Sequence, residues 1–246
     1  MSNLESYLQS PKGWFLLAGM LFFLLMANAF HEGGHALGAW IGGDRRKDLR
    51  RRITLNPLNH IHWFLTIILP IATLYLSGGR MLLGGARPVM IDRSRLTRGH
   101  MLLAVLLGPI GNFLFAGIML MIVSLCMHQE LLGLSRVDWI RSDFWRIVEW
   151  PLWYSVALGI FNLIPLPPLD GGHVVACFLP DRVARIWYAA APLGLILLLV
   201  GMLYLGGVFA SYGYPAPPLN SNPFYLVDTM VKRWVHSLMP FWDAIL

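Results

Sequence analysis

The sequence predicts an all-α polytopic membrane protein of about four to five transmembrane helices, with a re-entrant or β hairpin at about 53–92. Three observations predict it. Of 246 residues, 57% are hydrophobic and only 13% charged, against about 25% charged in ordinary soluble domains. The apolar residues gather in long uncharged runs. The basic residues gather in the loops between those runs. Together these exclude a soluble globular enzyme and a disordered chain. The formal net charge of +6 reads as loop charge on a membrane protein, so no nucleic-acid partner is expected.

The start, MSNLESYLQSPK, is not a signal n-region, and the run after it reads as a retained span. That run, Trp14–Phe30, is expected to continue as helix to about Ile41, past His31, Glu32 and His35. The run Trp63–Ser77 is shorter and contains Pro70; it could span, or enter and leave on one side. Met101–Met127, Trp150–Leu169 and Ile186–Ala210 each match the roughly 20 residues a crossing needs. Tyr214–Pro223 is a Pro-rich loop, and the aromatic tail after it is expected to lie in the interface. The whole reads as one membrane domain, 1–246, with its core at about 14–180, a C-terminal span at 186–210 and an interfacial tail at 211–246. Cys126 and Cys177 lie in or beside apolar runs, so no disulfide framework is expected.

Charge sets the orientation. Loop Gly42–His62 holds Arg45, Arg46, Lys47, Arg50, Arg51 and Arg52. Loop Gly79–His100 holds Arg80, Arg87, Arg93, Arg95 and Arg98, and loop Gly171–Arg185 holds Arg182 and Arg185. The positive-inside rule puts all three in the cytoplasm, which requires that Trp63–Ser77 not cross. Trp139, Trp145, Trp150 and Trp153 are expected to form an aromatic belt at the opposite face with Trp14.

The segment FHEGGHALGAW carries His31-Glu32-Gly33-Gly34-His35. On a helix, positions i and i+4 share a face, so both imidazoles can bind one metal ion, with Glu32 placed as general base. Random order of this composition yields an H-E-x-x-H about 0.4% of the time. Ionisable residues at the end of a membrane helix are costly unless they pair or bind something; solvated polar residues at a helix end are the other reading. Gly33 and Gly34 suit either close helix packing or the approach of another backbone to the metal face.

A hydrolytic zinc site takes three protein ligands and a water. The best third ligand is Asp170, in FNLIPLPPLDGGHV, an acid at a membrane boundary. Pro165, Pro167 and Pro168 prevent regular helix before it, and broken backbone at membrane depth is tolerated only where protein or water covers it. A helix stop with a turn-forming Asp-Gly is the plainer reading of this segment alone. Depth agrees with a shared site: His31 and Asp170 reach the same face only if the 53–92 segment returns to its own side.

These residues resemble the site-2 protease family of intramembrane zinc metalloproteases, which pairs an H-E-x-x-H helix with a downstream N-x-x-P…L-D-G segment. HEGGH at 31–35 and NLIPLPPLDGG at 162–172 carry the match. RITLNPLNHI at 52–61, Pro70, ARPV at 86–89 and GPIGNFLFA at 108–116 are similar to intervening elements of a compact bacterial branch without a PDZ domain. The sequence departs after NPLNHI, where the family usually shows Asp-Pro and then Gly-Thr and this chain reads His62-Trp63-Phe64-Leu65-Thr66. The resemblance implies one Zn2+ per chain on His31, His35 and Asp170, with Glu32 as the base. Asn162 matches the family Asn that steadies substrate or oxyanion, and Asn112 matches a second Asn near the cleft. His60, His62 and His173 read as structural rather than as ligands.

The expected activity is zinc-dependent endoproteolysis of transmembrane segments of membrane-protein substrates. The expected setting is the bacterial cytoplasmic membrane, with the active site near the cytoplasmic face and a regulatory membrane partner conceivable. The strand-like RRITLNP at 51–57 is expected to receive an extended substrate by edge pairing. A non-catalytic zinc-binding scaffold and a transporter are the alternatives. Zinc binding alone would not need Glu32, and no two repeated halves with broken helices are present in the sequence.

Overall fold

A computed structural model of the chain describes residues 11–76, 84–128 and 143–197. The described part is mostly helical, and no strand forms among the described residues. Helix α1, Pro11–Ile41, has 31 residues and runs through the HEGGH motif as expected. A short α2, Lys47–Arg50, follows. Helix α3 is Leu69–Leu76, α4 Arg98–His128, α5 Asp143–Asn162, α6 Asp170–Phe178 and α7 Asp181–Ala189.

Helices α1, α4 and α5 pack against one another, and α6 packs on α4. Their shared core includes Ala27, Phe115, Met119, Leu152, Trp153 and Val156. Small residues on α1 let the larger ones on α4 and α5 interdigitate. Trp153 is therefore a core residue, 6% exposed, rather than part of an aromatic belt. Trp14 is exposed. Trp139 and the side chains of Trp145 and Trp150 lie outside the described residues.

One described helix segment, Arg98–Ile122, is long and apolar enough to cross a membrane. The expected run Trp150–Leu169 is helical only to Asn162. Three prolines then hold an irregular segment until Asp170 starts α6. The expected span Ile186–Ala210 is not one continuous helix. Helix α7 ends at Ala189, and a new helical stretch begins at 191, where Pro192 cannot extend the preceding ladder. The rest of that run, the loop 214–223 and the tail to 246 lie outside the described residues.

Two expectations of strand are corrected. Residues 51–54 form turns: Arg52 and Ile53 donate to carbonyls three residues back, and Thr54 donates to Arg52 O. Those amides are spent locally and offer no ladder. The 53–92 segment is likewise no β hairpin among its described residues. It contains a 3-10 turn at Pro57–His60, capped by Asn56, and a π-helical turn at Trp63–Ile68, capped by His62. Short polar side chains at both caps supply the acceptors that start these turns. The segment does double back on itself. Gly85 N–H donates to Leu65 O at 3.0 Å, and Arg87 N–H to His60 O at 2.7 Å. Thr66 Oγ1 donates to Gly85 O at 2.7 Å.

Candidate metal centre

The first pair of donors comes from one turn of α1. His31 and His35 place their Nε2 atoms 3.2 Å apart. Asp170, the first residue of α6, brings Oδ2 to 3.4 Å from His31 Nε2 and 3.3 Å from His35 Nε2. Zinc–ligand bonds of about 2.05 Å at tetrahedral angles put donors about 3.3 Å apart. The three separations fit that figure. Asp170 Oδ2 is buried against the two imidazoles with no hydrogen bond of good geometry among the described residues, a setting that a metal ion shared by the three would satisfy. Among the described residues these three are the group able to hold an ion.

Outer contacts fix both rings. His35 Nδ1 donates to Ala104 O at 2.9 Å, which leaves its Nε2 lone pair for a metal. The Asn112 amide nitrogen lies 3.0 Å from His31 Nδ1. Metal binding through His31 Nε2 puts the ring proton on Nδ1, so Asn112 then presents its oxygen to the ring. Ser155 on α5 stands behind it, its Oγ donating to Asn112 O at 3.0 Å. Asn112 is fully buried and touches His31 rather than open cleft.

Four glycines, Gly34 and Gly38 on α1 and Gly108 and Gly111 on α4, make the approach of the two helices close enough. A methyl group at Gly34 would overlap the Leu107 carbonyl, and one at Gly108 would overlap the His35 ring. Gly33 faces the other way, toward Thr54 O. The packing reading holds at Gly34, while Gly33 admits the backbone of the turn at 52–54.

Glu32 lies beside the donors and is 8% exposed. Its Oε2 accepts a hydrogen bond from Val89 N–H at 2.8 Å. Val89 belongs to a segment without regular secondary structure, 84–92, whose residues Pro88 to Ile91 line the site as a strap. A cleft of about 510 Å³ opens between the strap and the helices, lined by Glu32, His35, Val89, Asn162, Asp170 and Tyr188 among others. Asn162 reaches this cleft while its Nδ2 donates to Leu158 O at 3.0 Å, leaving Oδ1 toward a ligand. His60 is buried, with Nε2 3.0 Å from Thr54 O, and burial lowers its pKa. His173 bonds Leu169 O through Nδ1. His62 caps the π-helical turn through Nδ1. None of these three joins the metal group.

The sequence reading gave Val89, Ala104 and Gly108 no role of their own, although ARPV at 86–89 and GPIGNFLFA at 108–116 contain the first and the last. Val89 and Ala104 act through backbone atoms, which no side-chain motif marks. Gly108 had a signal: a glycine on an apolar helix one turn before Asn112.

The fold and site define a helical protein with three converging donors, His31, His35 and Asp170, that could hold a metal ion, and an adjacent glutamate. Comparison with known proteins places it among zinc metalloproteases by similarity. A model of peptidase family M50 matches residues 125–201, a stretch that contains Asp170 but not the HEGGH motif. The chain is 31% identical over 178 residues to the "Putative zinc metalloprotease Rip2" of Mycolicibacterium smegmatis, covering 72% of this chain and 63% of that protein. It is 29% identical over 189 residues to the "Putative zinc metalloprotease YwhC" of Bacillus subtilis, covering 75% and 80%. The Rip2 of Mycobacterium tuberculosis matches at 29% over 178 residues, covering 72% and 63%. The chain thus spans less than two thirds of the length of the Rip2 proteins it matches. No solved structure matches. The resemblance to the site-2 protease family is shown by the family match and by these relatives.

Proposed function

We propose that the chain is a zinc-dependent endopeptidase that hydrolyses transmembrane segments of membrane proteins. The observation that carries the reading is the convergence of His31, His35 and Asp170 at 3.2–3.4 Å with Glu32 beside them. Zinc, when bound, supplies Lewis acidity for a water and for the scissile carbonyl.

The residues of the chain do the rest. Glu32 holds one carboxylate oxygen on Val89 N–H, which leaves the other to take the proton of the attacking water. It then returns that proton to the leaving amine. Asn162 steadies the substrate from the cleft wall, its Oδ1 accepting from a substrate N–H and its second Nδ2 hydrogen available to the carbonyl. Asn112 and Ala104 O keep the two imidazoles turned toward one point. The strap and α6 exclude bulk water from the opposite side.

The bilayer setting belongs to the same proposal. Leu21, Phe22, Ile110, Leu114, Met121 and Ile160 project from the outer surfaces of α1, α4 and α5 and are all more than 40% exposed. Lipid is the solvent that suits such surfaces. The basic loops then lie in the cytoplasm, and the return of 53–92 to its own side keeps them together. The site lies near the cytoplasmic face of a bacterial inner membrane. Its substrate is a transmembrane protein, one Zn2+ is bound per chain, and a membrane partner regulates access.

The test is cleavage of a purified single-span reporter protein in detergent, with zinc content measured alongside. Wild type cleaves, and Glu32→Gln keeps its zinc and does not. Cleavage by Glu32→Gln at the wild-type rate would remove the assigned base.

A further inference from the structure

The strap that carries Val89 has no regular ladder, so something else must hold its amide on Glu32. Two arginines do so from the basic loop after α1. Arg52 donates through one guanidinium nitrogen to Asn59 O and through the other to Arg87 O. Arg46 Nη2 donates to Met90 O at 2.6 Å. These contacts bracket Val89: one falls two residues before it and the other one residue after.

Arg46 is itself fixed. Its Nε lies 2.9 Å from Asp44 Oδ1 and its Nη2 2.7 Å from Asp44 Oδ2. The Asp44 side chain is fully buried. A bidentate pair on a buried carboxylate is the stiffest anchor available to a guanidinium. Asp44 in turn is tied to the end of α1, its N–H donating to Ala39 O at 3.0 Å. A continuous path therefore runs from the end of the motif helix through Asp44, Arg46 and the strap, and back to Glu32 on the same helix.

We infer that Arg46, locked by Asp44, is a positioning residue for Glu32, acting through the strap and the Val89 amide. A basic-loop residue, read from sequence as an orientation signal, thus aligns the base. The inference rests on the reading of Glu32 as the base, and the experiment separates the two.

The experiment compares wild type, Arg46→Ala, Arg46→Lys and Glu32→Gln in detergent. It reads hydrogen exchange across 86–92, zinc per chain, and kcat and KM on the single-span reporter. Arg46→Ala is expected to speed exchange at the Val89 amide about tenfold and to lower kcat about 10- to 100-fold. Zinc content and KM stay within about twofold of wild type. Arg46→Lys keeps the charge without the fork and falls between the two; it also serves if the alanine variant does not fold. Wild-type exchange and kcat in both Arg46 variants, with Glu32→Gln inactive, would overturn the inference and leave the base standing. Activity in Glu32→Gln would instead overturn the base, whatever Arg46 does.

Discussion

The two walls of the cleft are built by different physics. The ligand wall is α1 against α4, where backbone meets backbone at Gly34–Leu107 and the His35 ring lies against Gly108. Close packing of this kind has no slack, because a displaced atom meets another atom. The strap wall is an irregular segment held by Arg46, Arg52, Thr66 and Glu32 side chains on its backbone. Such bonds can be exchanged for water one at a time. The candidate metal donors thus sit where the molecule is least able to move, and the partner of Glu32 sits where it can be released.

The largest effect should come from removing a donor of the ligand wall. His31→Ala and Asp170→Ala each leave two donors, and zinc affinity should fall beyond the ~10–100-fold typical of losing an outer contact. Zinc content of the purified variants measures this. Zinc retained at wild-type stoichiometry in Asp170→Ala would mean that α6 belongs to the strap side of the comparison.

Next is the packing itself. Gly34→Val drives a branched side chain into the Leu107 carbonyl, where neither backbone can retreat. The loss should reach or pass the upper end of the ~1–3 kcal/mol seen for overpacked sites. Thermal unfolding in detergent should show a lowered midpoint together with lost zinc. A stable variant that still binds zinc would show the wall to be softer than its geometry implies.

The same division explains what was legible in the sequence. His31, Glu32 and His35 could be read because helical spacing fixes which side chains share a face. Asp170 could be read because prolines and an acid at the end of an apolar run have few other uses. The strap could not be read this way. Its function lies in the Val89 amide and the Met90 carbonyl, which every residue possesses, and in Arg46, one of several arginines in its loop. The expected strand at 51–57 failed because local turn bonds took its amides first. The length of α5 was overstated because hydropathy runs straight through Pro165 while the backbone cannot.

Asn112 offers a smaller and more selective change within the ligand wall. Asn112→Ala leaves the His31 ring only the Gly108 backbone as a partner, and zinc should bind more weakly by roughly the lower end of the ~10–100-fold range for a lost outer contact. Asn112→Asp keeps an acceptor for the ring proton and should recover most of that loss. Competition with a chelator of known affinity gives the numbers. Equal affinity in all three proteins would place Asn112 in helix packing alone.

The smallest effect is a pH dependence confined to the strap side. The Arg46 guanidinium beside Asp44 lowers the Asp44 pKa below its usual value. Ser94 and Arg95 lower that of Asp92, at the end of the strap, to about 2. A carboxylate with a lowered folded pKa stabilises the fold above its unfolded value, and that contribution is lost as pH falls through the folded value. The Asp44–Arg46 anchor should therefore be intact at neutral pH and fail only as pH falls below the ordinary carboxylate range. Hydrogen exchange across 86–92, corrected for the intrinsic pH dependence of exchange, should show protection lost over that window. Asp44→Asn should lose part of that protection already at pH 7, because its amide accepts from the Arg46 fork through one oxygen instead of two. A flat profile in wild type would mean that Arg52 and the Thr66 hydroxyl hold the strap without Arg46. The division between a packed wall and a tethered one would then survive, with the tether assigned to Arg52.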